Sequence, residues 1–242
     1  YRITTNSWNS YSRLNIGQSS GRFINPTDYD SRNNILYGAY ENGYYSTVKN
    51  VGSSNTRAST WVPAFNRSKV SAVKVSPNTE NLVFFGLSNG DIVRVEDAHV
   101  ETVIGTRIRN GSGYVSNIDV EIGNDDHIII TYSNYGVNSI WETTNGGLTW
   151  VSVEGDLPDM PIRWALFTPG DATKAIVGTE LGGWSTDELS ASTTEWDPSN
   201  TGLANTRIDM LRYRESDFTM IAATHGRGLY STDHFSPIFT KF

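Results

Sequence analysis

The stretch THGRGLYSTD, from Thr224 to Asp233, combines residue types that occur in several kinds of active site. His225 is a candidate general base, and Arg227 is a candidate partner for a phosphate or carboxylate. A phosphate-binding loop, however, requires glycine-rich backbone that leads into the N-terminus of a helix. The flanking segments MIAA and LYST are typical of strands. The stretch is therefore predicted to be a hairpin turn with His225 and Arg227 at its polar tip.

Carboxylates and tryptophans elsewhere in the chain are candidates for glycan chemistry. Glycoside hydrolysis uses two carboxylates roughly 5 to 10 Å apart, and Asp28, Asp119 and Asp209 lie in or near strand-like segments. Trp164 and Trp184 are candidates for stacking on a sugar. The candidate arginines for a carboxylate-binding triad are Arg107, Arg163, Arg207 and Arg212. The simpler interpretation assigns all these residues to ordinary turn, strand-end and salt-bridge positions.

Composition narrows the classes of partner. The chain of 242 residues carries a formal net charge of −7, and it lacks the basic surface that nucleic-acid binding requires. No apolar run approaches the roughly 18 residues of a membrane span, so direct membrane insertion is not expected. The chain has no cysteine, and its four histidines lack the spacing of metal ligands. The acidic cluster Asn124 to Asp126 lacks the alternating pattern of a calcium loop. Neither a metal nor another cofactor is predicted.

The hairpin that contains His225 is the fifth member of a series. Each member is an apolar run, a short polar turn and a second run, preceded by a further strand-like stretch. The glycines that close the turns lie 47, 46, 47 and 45 residues apart, at Gly43, Gly90, Gly136, Gly183 and Gly228. A strand-rich unit of this length is typical of a propeller blade. The predicted fold is all-β, a β-propeller or part of one, with about five four-stranded blades of about 46 residues.

The segment TTNGGLTWVSV, from Thr143 to Val153, resembles the Asp-box, or BNR, motif Ser/Thr-x-Asp-x-Gly-x-x-Trp of a family of β-propellers. Thr143, Gly147 and Trp150 match the motif, and Asn145 stands in place of its Asp. In such a turn a short polar side chain caps backbone amides, the glycine adopts a positive φ, and the Trp packs below. Incomplete copies are predicted at Ser185 and Asp187 and at Ser231 and Asp233.

The resemblance to Asp-box propellers implies either binding or glycan cleavage. Within that group, sortilin-type domains and photosystem assembly factors bind polypeptides, whereas sialidases and xyloglucanases cleave glycans. The Thr/Asn/Gly-rich sequence is most similar to secreted bacterial members of the sortilin- and xyloglucanase-like kind. We therefore expect a secreted or cell-surface scaffold that binds a protein or glycan partner, within a surface assembly or alone, without catalysis of its own. The alternative is a glycoside hydrolase. The candidate binding residues are His225, Arg227 and Trp184.

The predicted domain boundaries place propeller blades in residues 1–235 and the start of a linker in residues 236–242. Trp8 has the position of a residue that ends an Asp box. Two explanations stay open at this point. Either the amino-terminal strand completes the last blade, or Trp8 ends a preceding blade and the chain is the C-terminal part of a larger propeller. The second explanation is favoured, because Asp-box propellers typically have six or more blades.

Overall fold

The computed structural model describes residues 2–3, 9–13, 24–203 and 205–233, and these residues are almost entirely strands and turns. The predicted linker at residues 236–242 and the predicted role of Trp8 lie outside the described residues. The chain divides after Val115 into two compact units. Near the amino terminus, β1 Arg2–Ile3 pairs antiparallel with β2 Ser12–Arg13.

The first unit contains two four-stranded antiparallel blades whose strands follow each other in sequence order. Blade 1 consists of β3 Thr27–Asp30, β4 Ile35–Ala39, β5 Tyr44–Lys49 and β6 Thr56–Trp61. Blade 2 consists of β7 Val70–Val75, β8 Val83–Leu87, β9 Ile92–Val95 and β10 Thr106–Arg109. A short 3-10 helix, Pro63–Phe65, connects the two blades.

The second unit contains three further blades, and the first strand of blade 3 begins at the unit boundary. Blade 3 consists of β11 Val115–Glu121, β12 Asn124–Tyr132, β13 Ile140–Thr143 and β14 Val151–Ser152. Blade 4 consists of β15 Ile162–Thr168, β16 Asp171–Thr179, β17 Gly182–Thr186 and β18 Asp197–Pro198, with a 3-10 helix at Ala191–Thr193. Blade 5 has three strands among the described residues, β19 Ile208–Arg214, β20 Thr219–Thr224 and β21 Gly228–Thr232.

The five sheets confirm the predicted all-β, propeller-type fold, but the turn glycine of blade 4 differs from the prediction. Four predicted turn-closing glycines have φ between 71° and 98°, namely Gly43, Gly90, Gly136 and Gly228. In blade 4 the positive φ, 89°, belongs to Gly182, whereas Gly183 pairs with Gly178 in the ladder. With Gly182 in this role the spacings become 47, 46, 46 and 46, so the repeat is more regular than the sequence alignment indicated.

An aromatic cluster lies between the two blades of the first unit. Tyr45 stacks on Phe85 with ring centroids 4.8 Å apart, and Phe65 packs edge-on against Phe85 at 5.3 Å. The buried Tyr45 hydroxyl donates a hydrogen bond to the Ala98 carbonyl at 2.6 Å. Burial raises the pKa of Tyr45 to about 12, so the phenol stays protonated and keeps donating. The cluster therefore joins the blades by apolar contact without leaving this polar group unpaired.

The second unit has one apolar cluster at each interface between successive blades. Ile129 and Ile140 of blade 3 belong to the same cluster as Val177 of blade 4. Ile176 of blade 4 lies in a second cluster with Leu211 of blade 5. Because side chains alternate between the faces of a strand, Val177 and Ile176 point to opposite sides of blade 4. Blade 4 thus packs one face on blade 3 and the other face on blade 5.

Candidate functional site

The hairpin that carries His225 and Arg227 is the turn between β20 and β21. β20 ends at Thr224 and β21 begins at Gly228. The His225 backbone N–H donates to the Arg207 carbonyl at 2.8 Å, which places the turn beside the start of β19. Both side chains at the tip are exposed. The sequence prediction of a hairpin with a solvent-facing polar tip therefore matches the position of the turn.

His225 belongs to a small charged cluster at this end of blade 5. The Arg207 Nε lies 2.7 Å from Asp209 Oδ1, and the Arg207 Nη2 lies 2.9 Å from His225 Nδ1. His225 Nδ1 is also 3.5 Å from Asp209 Oδ2. Since a guanidinium has only donors, the bond from Arg207 makes Nδ1 an acceptor and places the proton of the neutral ring on Nε2. Arg207 and Asp209 thereby orient the imidazole toward solvent.

Arg227 differs from the other cations at this end of the blade. Its side chain is exposed, and within the described part of the chain it makes no hydrogen bond or ion pair. Leu229, two residues along, is 73% exposed. The corresponding turns of blades 3 and 4 expose Tyr135 and Leu181, at 66% and 52%. We refer to these four exposed residues, Tyr135, Leu181, Arg227 and Leu229, as the turn end of the second unit.

Trp184, the third candidate binding residue, lies in a different environment. It is in β17, opposite Val177 and Pro198 in the sheet, and it packs against the cluster between blades 3 and 4. Its Nε1 is buried and has no hydrogen-bond partner among the residues that the structure describes. The structure therefore does not place Trp184 with His225 and Arg227 at the turn end. An internal packing role accounts for its position, and a binding role for this residue stays a prediction.

The candidate carboxylates of the inner strands hold neighbouring strands together. Asp119 is only 7% exposed, and its Oδ2 accepts a hydrogen bond from the Phe167 backbone N–H at 2.9 Å. In the first unit, Asp28 accepts the Val75 backbone N–H at 2.9 Å in the same way. Asp209, the third candidate, forms the ion pair with Arg207 described above. Each carboxylate thus has a structural partner, and in two cases that partner lies about one blade period further along the chain.

The arginines proposed as a carboxylate-binding triad have separate partners. Arg163 donates from Nε to Glu180 Oε1 at 2.9 Å, within blade 4. Arg107 in the first unit lies 3.2 Å from Asp91 of its own blade. The guanidinium of Arg212 lies over the Trp164 ring, 5.1 Å from its centroid. Each of these cations has a partner in its own or the adjacent blade, which supports the simpler interpretation made from the sequence.

A histidine that sequence analysis set aside lies at the centre of an ion cluster in blade 3. His127 is buried, its Nδ1 is 2.8 Å from Glu121 Oε2, and its Nε2 is 2.7 Å from Glu142 Oε1. Burial opposes the charged ring, but the hydrogen bonds and charges of Glu142 and Glu121 outweigh it and raise the pKa of His127. A doubly donating imidazolium therefore links three adjacent strands. The position of His127 at the start of the apolar run Ile128 to Ile130 in β12 was the available sequence signal.

The turn that resembles an Asp box connects β13 to β14. The Thr143 hydroxyl accepts the Gly147 backbone N–H at 3.0 Å, and the Asn145 side-chain oxygen accepts the Thr149 backbone N–H at 2.9 Å. Gly147 has a φ of 92°. Trp150 is half-buried at the end of the turn. Short polar side chains therefore cap backbone amides of this turn, with Asn145 as one of the acceptors, and its assignment as an Asp box stays a prediction.

The incomplete copies behave differently from the turn of blade 3. Ser185 bonds to the Ser199 hydroxyl at 2.6 Å, and Asp187 forms an ion pair with Lys174 at 3.2 Å. At this turn the backbone N–H of Glu188 donates a hydrogen bond to the hydroxyl of the neighbouring Thr186 at 3.2 Å. In blade 5, Ser231 and Asp233 are exposed. A capping role for these four predicted residues, Ser185, Asp187, Ser231 and Asp233, stays a prediction.

The described residues hold no group of three or more His, Asp or Glu side chains placed to bind a metal ion. The acidic cluster considered for calcium begins β12, after a turn at Ile122 and Gly123. Among the described residues there is also no helix with the length and apolar character needed to cross a membrane.

No protein-family model and no curated protein sequence matches the chain. Solved structures resemble it in fold at low identity. A chain of the COPII outer coat vertex on membranes matches with a TM-score of 0.62 at 13% identity, over 86% of this chain and 57% of that one. The computationally designed protein Ika8 matches with a TM-score of 0.57 at 14% identity, over 85% of this chain and 56% of that one. The GH74 enzyme of Niastella koreensis matches with a TM-score of 0.55 at 14% identity, over 86% of this chain and 36% of that one.

The chain therefore spans between about a third and just over half of the length of each of these matched chains. At 13–14% identity the likeness shows the fold alone. A propeller fold serves an enzyme in one of these cases and a coat assembly in another, so function has to be argued from the surfaces of this chain.

Proposed function

We propose that this protein is a non-catalytic propeller scaffold, secreted or at the cell surface, that binds a protein or glycan partner through the turn end of the second unit. The observation that carries the proposal is the exposed Arg227, which has no partner among the described residues and lies beside the 73% exposed Leu229. A free cation next to apolar side chains supports recognition of a partner with an acidic group and an apolar group. The formal net charge of −7 argues against nucleic acid as that partner.

The absence of catalysis is supported by the bonding of the candidate carboxylates. Asp119 accepts a backbone amide and is buried, and Asp209 is paired with Arg207. A retaining or inverting glycosidase needs two carboxyl groups that flank the substrate, one of them as an acid. Because the Asp119 side chain is hydrogen-bonded to the backbone of a neighbouring strand, it is poorly placed to act as that acid. The resemblance of one turn to an Asp box, and membership in the Asp-box group, belong to this proposal as well.

The alternative function is a glycoside hydrolase of the xyloglucanase- or sialidase-like kind. The observation in its favour is Asp209, whose side chain is 40% exposed at the turn end of blade 5. We expect no turnover of sialosides or β-glucans by the full chain. Turnover that is lost in Asp209→Asn and kept in Asp119→Asn would overturn the scaffold proposal and place the chemistry at Asp209.

Binding is tested with glycan and peptide arrays probed with the full chain. We expect selective binding that weakens when Arg227 is replaced by Ala, because the change removes the free cation and leaves the packed core untouched. Arg67→Ala, an exposed arginine of the first unit, serves as the matched control. Binding that responds equally to both substitutions would reflect general charge and would contradict a site at the turn end.

A further inference from the structure

The chain contains four Asn-Gly steps, and the fold holds one of them differently from the others. The steps are Asn42–Gly43, Asn89–Gly90, Asn110–Gly111 and Asn145–Gly146. In such a step the glycine nitrogen can attack the side-chain carbon of the asparagine, because glycine has no Cβ to shield the nitrogen. The cyclic succinimide that forms then opens with water to aspartate or isoaspartate. How the fold holds the nitrogen and the carboxamide decides which step reacts.

Three of the glycine nitrogens are held by backbone carbonyls. The N–H groups of Gly43, Gly90 and Gly146 donate to backbone carbonyl oxygens at 2.9–3.0 Å. The carboxamide of the last step is also engaged, since Asn145 Oδ1 accepts the Thr149 backbone N–H at 2.9 Å. A carbonyl oxygen is too weak a base to take up the proton that the nitrogen must lose when it attacks. These three steps are therefore held in unreactive arrangements.

The Gly111 nitrogen has a carboxylate as its acceptor. Its N–H donates to Asp91 Oδ1 at 3.3 Å, and Asp91 is only 6% exposed. Unlike a carbonyl, a carboxylate can take up the proton of the attacking nitrogen. Asn89 contacts the same carboxylate through its Nδ2 at 2.9 Å, whereas the glycine nitrogen of that step donates to a backbone carbonyl. Among these contacts, Asp91 thus meets a nucleophilic nitrogen at Gly111.

The carboxamide of Asn110 faces a cation. Arg107 Nη1 lies 3.2 Å from Asn110 Oδ1, and Arg107 Nε lies 3.2 Å from Asp91 Oδ2. Since a guanidinium has only donors, the oxygen of the carboxamide must face Arg107, and the Nδ2 group lies on the other side. A donor in this position stabilises the negative charge that the oxygen carries after the nitrogen has attacked. Arg107 therefore activates the carboxamide and also holds Asp91 in place.

The irregular segment that carries Asn110, between β10 and β11, packs closely on the hairpin turn of blade 2. A Cβ added to Gly90 would lie 2.7 Å from the Gly111 carbonyl carbon, so the two backbones are in direct contact. Asp91 follows that turn directly, and Arg107 lies in β10 of the same blade. Asn110 itself is exposed, so water can reach the site and ammonia can leave it. The reacting groups are thus held in place before the reaction.

We propose that Asn110–Gly111 is a site of self-modification, where the contacts with blade 2 convert Asn110 to aspartate and isoaspartate. The Gly111 nitrogen bonds to the Asn110 Cγ, and its proton passes to Asp91. Arg107 stabilises the resulting oxyanion. The Cγ–Nδ2 bond then breaks while the proton passes from Asp91 to Nδ2, and ammonia leaves. Water adds to either carbonyl of the succinimide, so the overall reaction consumes water, releases ammonia and requires no oxidant or reductant.

The modification changes both charge and backbone at this segment. The formal net charge of −7 becomes more negative by one unit, and the new carboxylate competes with Asp91 for Arg107. Isoaspartate also adds a carbon to the backbone of the connection between β10 and β11. The site therefore supplies a slow, irreversible change that requires no other protein. This inference is independent of the scaffold function.

The test follows all four steps by peptide mass spectrometry of the full 242-residue chain at neutral pH. One sample is folded, and a parallel sample is unfolded in guanidinium chloride. Electron-transfer fragmentation distinguishes aspartate from isoaspartate. We expect similar rates at all four steps in the unfolded chain, because each nitrogen is then solvated. In the folded chain we expect Asn110 to react at least as fast as when unfolded, and the other three steps to react at least about tenfold more slowly.

Two variants remove the groups that act on this step. Asp91→Asn removes the base and Arg107→Met removes the donor, and each is expected to slow the conversion of Asn110 by about tenfold. Asp97→Asn and Arg67→Met, at exposed residues of the same unit, are the matched controls and should leave the rate unchanged. The other three Asn-Gly steps report on the fold. A loosened fold would accelerate them, whereas loss of the base or the donor alone would not.

Several outcomes would overturn the proposal. Conversion of Asn110 that is slower in the folded than in the unfolded chain would mean that Asp91 and Arg107 restrain the step. Faster conversion in Asp91→Asn than in the wild type, with the other three steps unchanged, would have the same meaning. Equal rates at all four steps of the folded chain would show that the Asn-Gly sequence alone sets the rate.

Discussion

Replacing Asp119 tests whether the inner-strand carboxylates hold the blades together. Asp119 is 7% exposed, and its Oδ2 lies 2.9 Å from the Phe167 backbone nitrogen of the next blade. Phe167 is itself 7% exposed, so its amide has little access to water once the acceptor is removed. Leaving a buried donor unsatisfied costs about 1–3 kcal/mol. We expect Asp119→Ala to destabilise the second unit by about 2–3 kcal/mol, because a hydrogen bond to a charged acceptor is lost.

Asp119→Asn keeps an acceptor oxygen of the same size and removes the charge. Charge-assisted hydrogen bonds are roughly twice as strong as neutral ones, so we expect a loss of about 1 kcal/mol for this variant. Urea unfolding followed by tryptophan fluorescence measures both losses. The tryptophans of the second unit are Trp141, Trp150, Trp164, Trp184 and Trp196. With an m-value of about 2 kcal/mol/M, the Ala variant shifts the midpoint by about 1 M or slightly more.

Asp197→Ala is the matched control, since this exposed carboxylate in β18 makes no hydrogen bond or ion pair with the described residues. Its midpoint is expected to stay within about 0.2 M of the wild type. An Asp119→Ala midpoint as close to the wild type as that would refute the structural role argued for this carboxylate. An Asn variant as unstable as the Ala variant would show that the charge, rather than the acceptor geometry, decides the stability.

Two other predictions concern His127 and the turn glycine of blade 4. The pKa of His127 is raised in the folded state, so its stabilisation is fully present below about pH 6.5 and is lost as the pH rises through the folded-state pKa. Unfolding free energies of wild type and His127→Gln, measured from about pH 5.5 upward, should therefore converge at alkaline pH. Gly182→Ala should cost about 2 kcal/mol, since φ is 89° and the new Cβ would lie 2.1 Å from the Asn200 side chain. Gly183→Ala, whose Cβ meets nothing closer than 3.5 Å, should stay within about 0.5 kcal/mol of the wild type.

Each of these predictions has a defined contrary result. A stability difference between wild type and His127→Gln that is constant with pH would mean that the imidazole is not charged in the folded protein. Equal effects of alanine at Gly182 and Gly183 would contradict the assignment of the positive-φ position to Gly182.

The fold was accessible from the sequence because its determinants are local and repeated. Short apolar runs mark the strands, and a glycine with positive φ closes each hairpin, so both signals recur at about 46 residues. The one error, Gly183 in place of Gly182, arose where two glycines are adjacent and either one fits the pattern. Only the backbone conformation distinguishes them.

The candidate site was accessible only in part. The sequence placed His225 and Arg227 on a hairpin tip, because the flanking strands are local features. It gave no means to see that Arg207 and Asp209 engage His225 while Arg227 stays free among the described residues. Those contacts join residues from different strands, and their distances follow from the register of β19 and β20.

What the sequence by itself determined is the class of fold, the repeat and the location of the turns, since each depends on the hydrophobic period and on residues that permit special backbone angles. The tertiary structure decided the part that each polar residue plays. Asp119 changed from a candidate acid to an acceptor for the next blade, and His127 from a scattered histidine to the centre of an ion cluster. The physical reason is that desolvation, charge pairing and edge exposure depend on residues brought together across strands and blades, and linear spacing does not encode those neighbours.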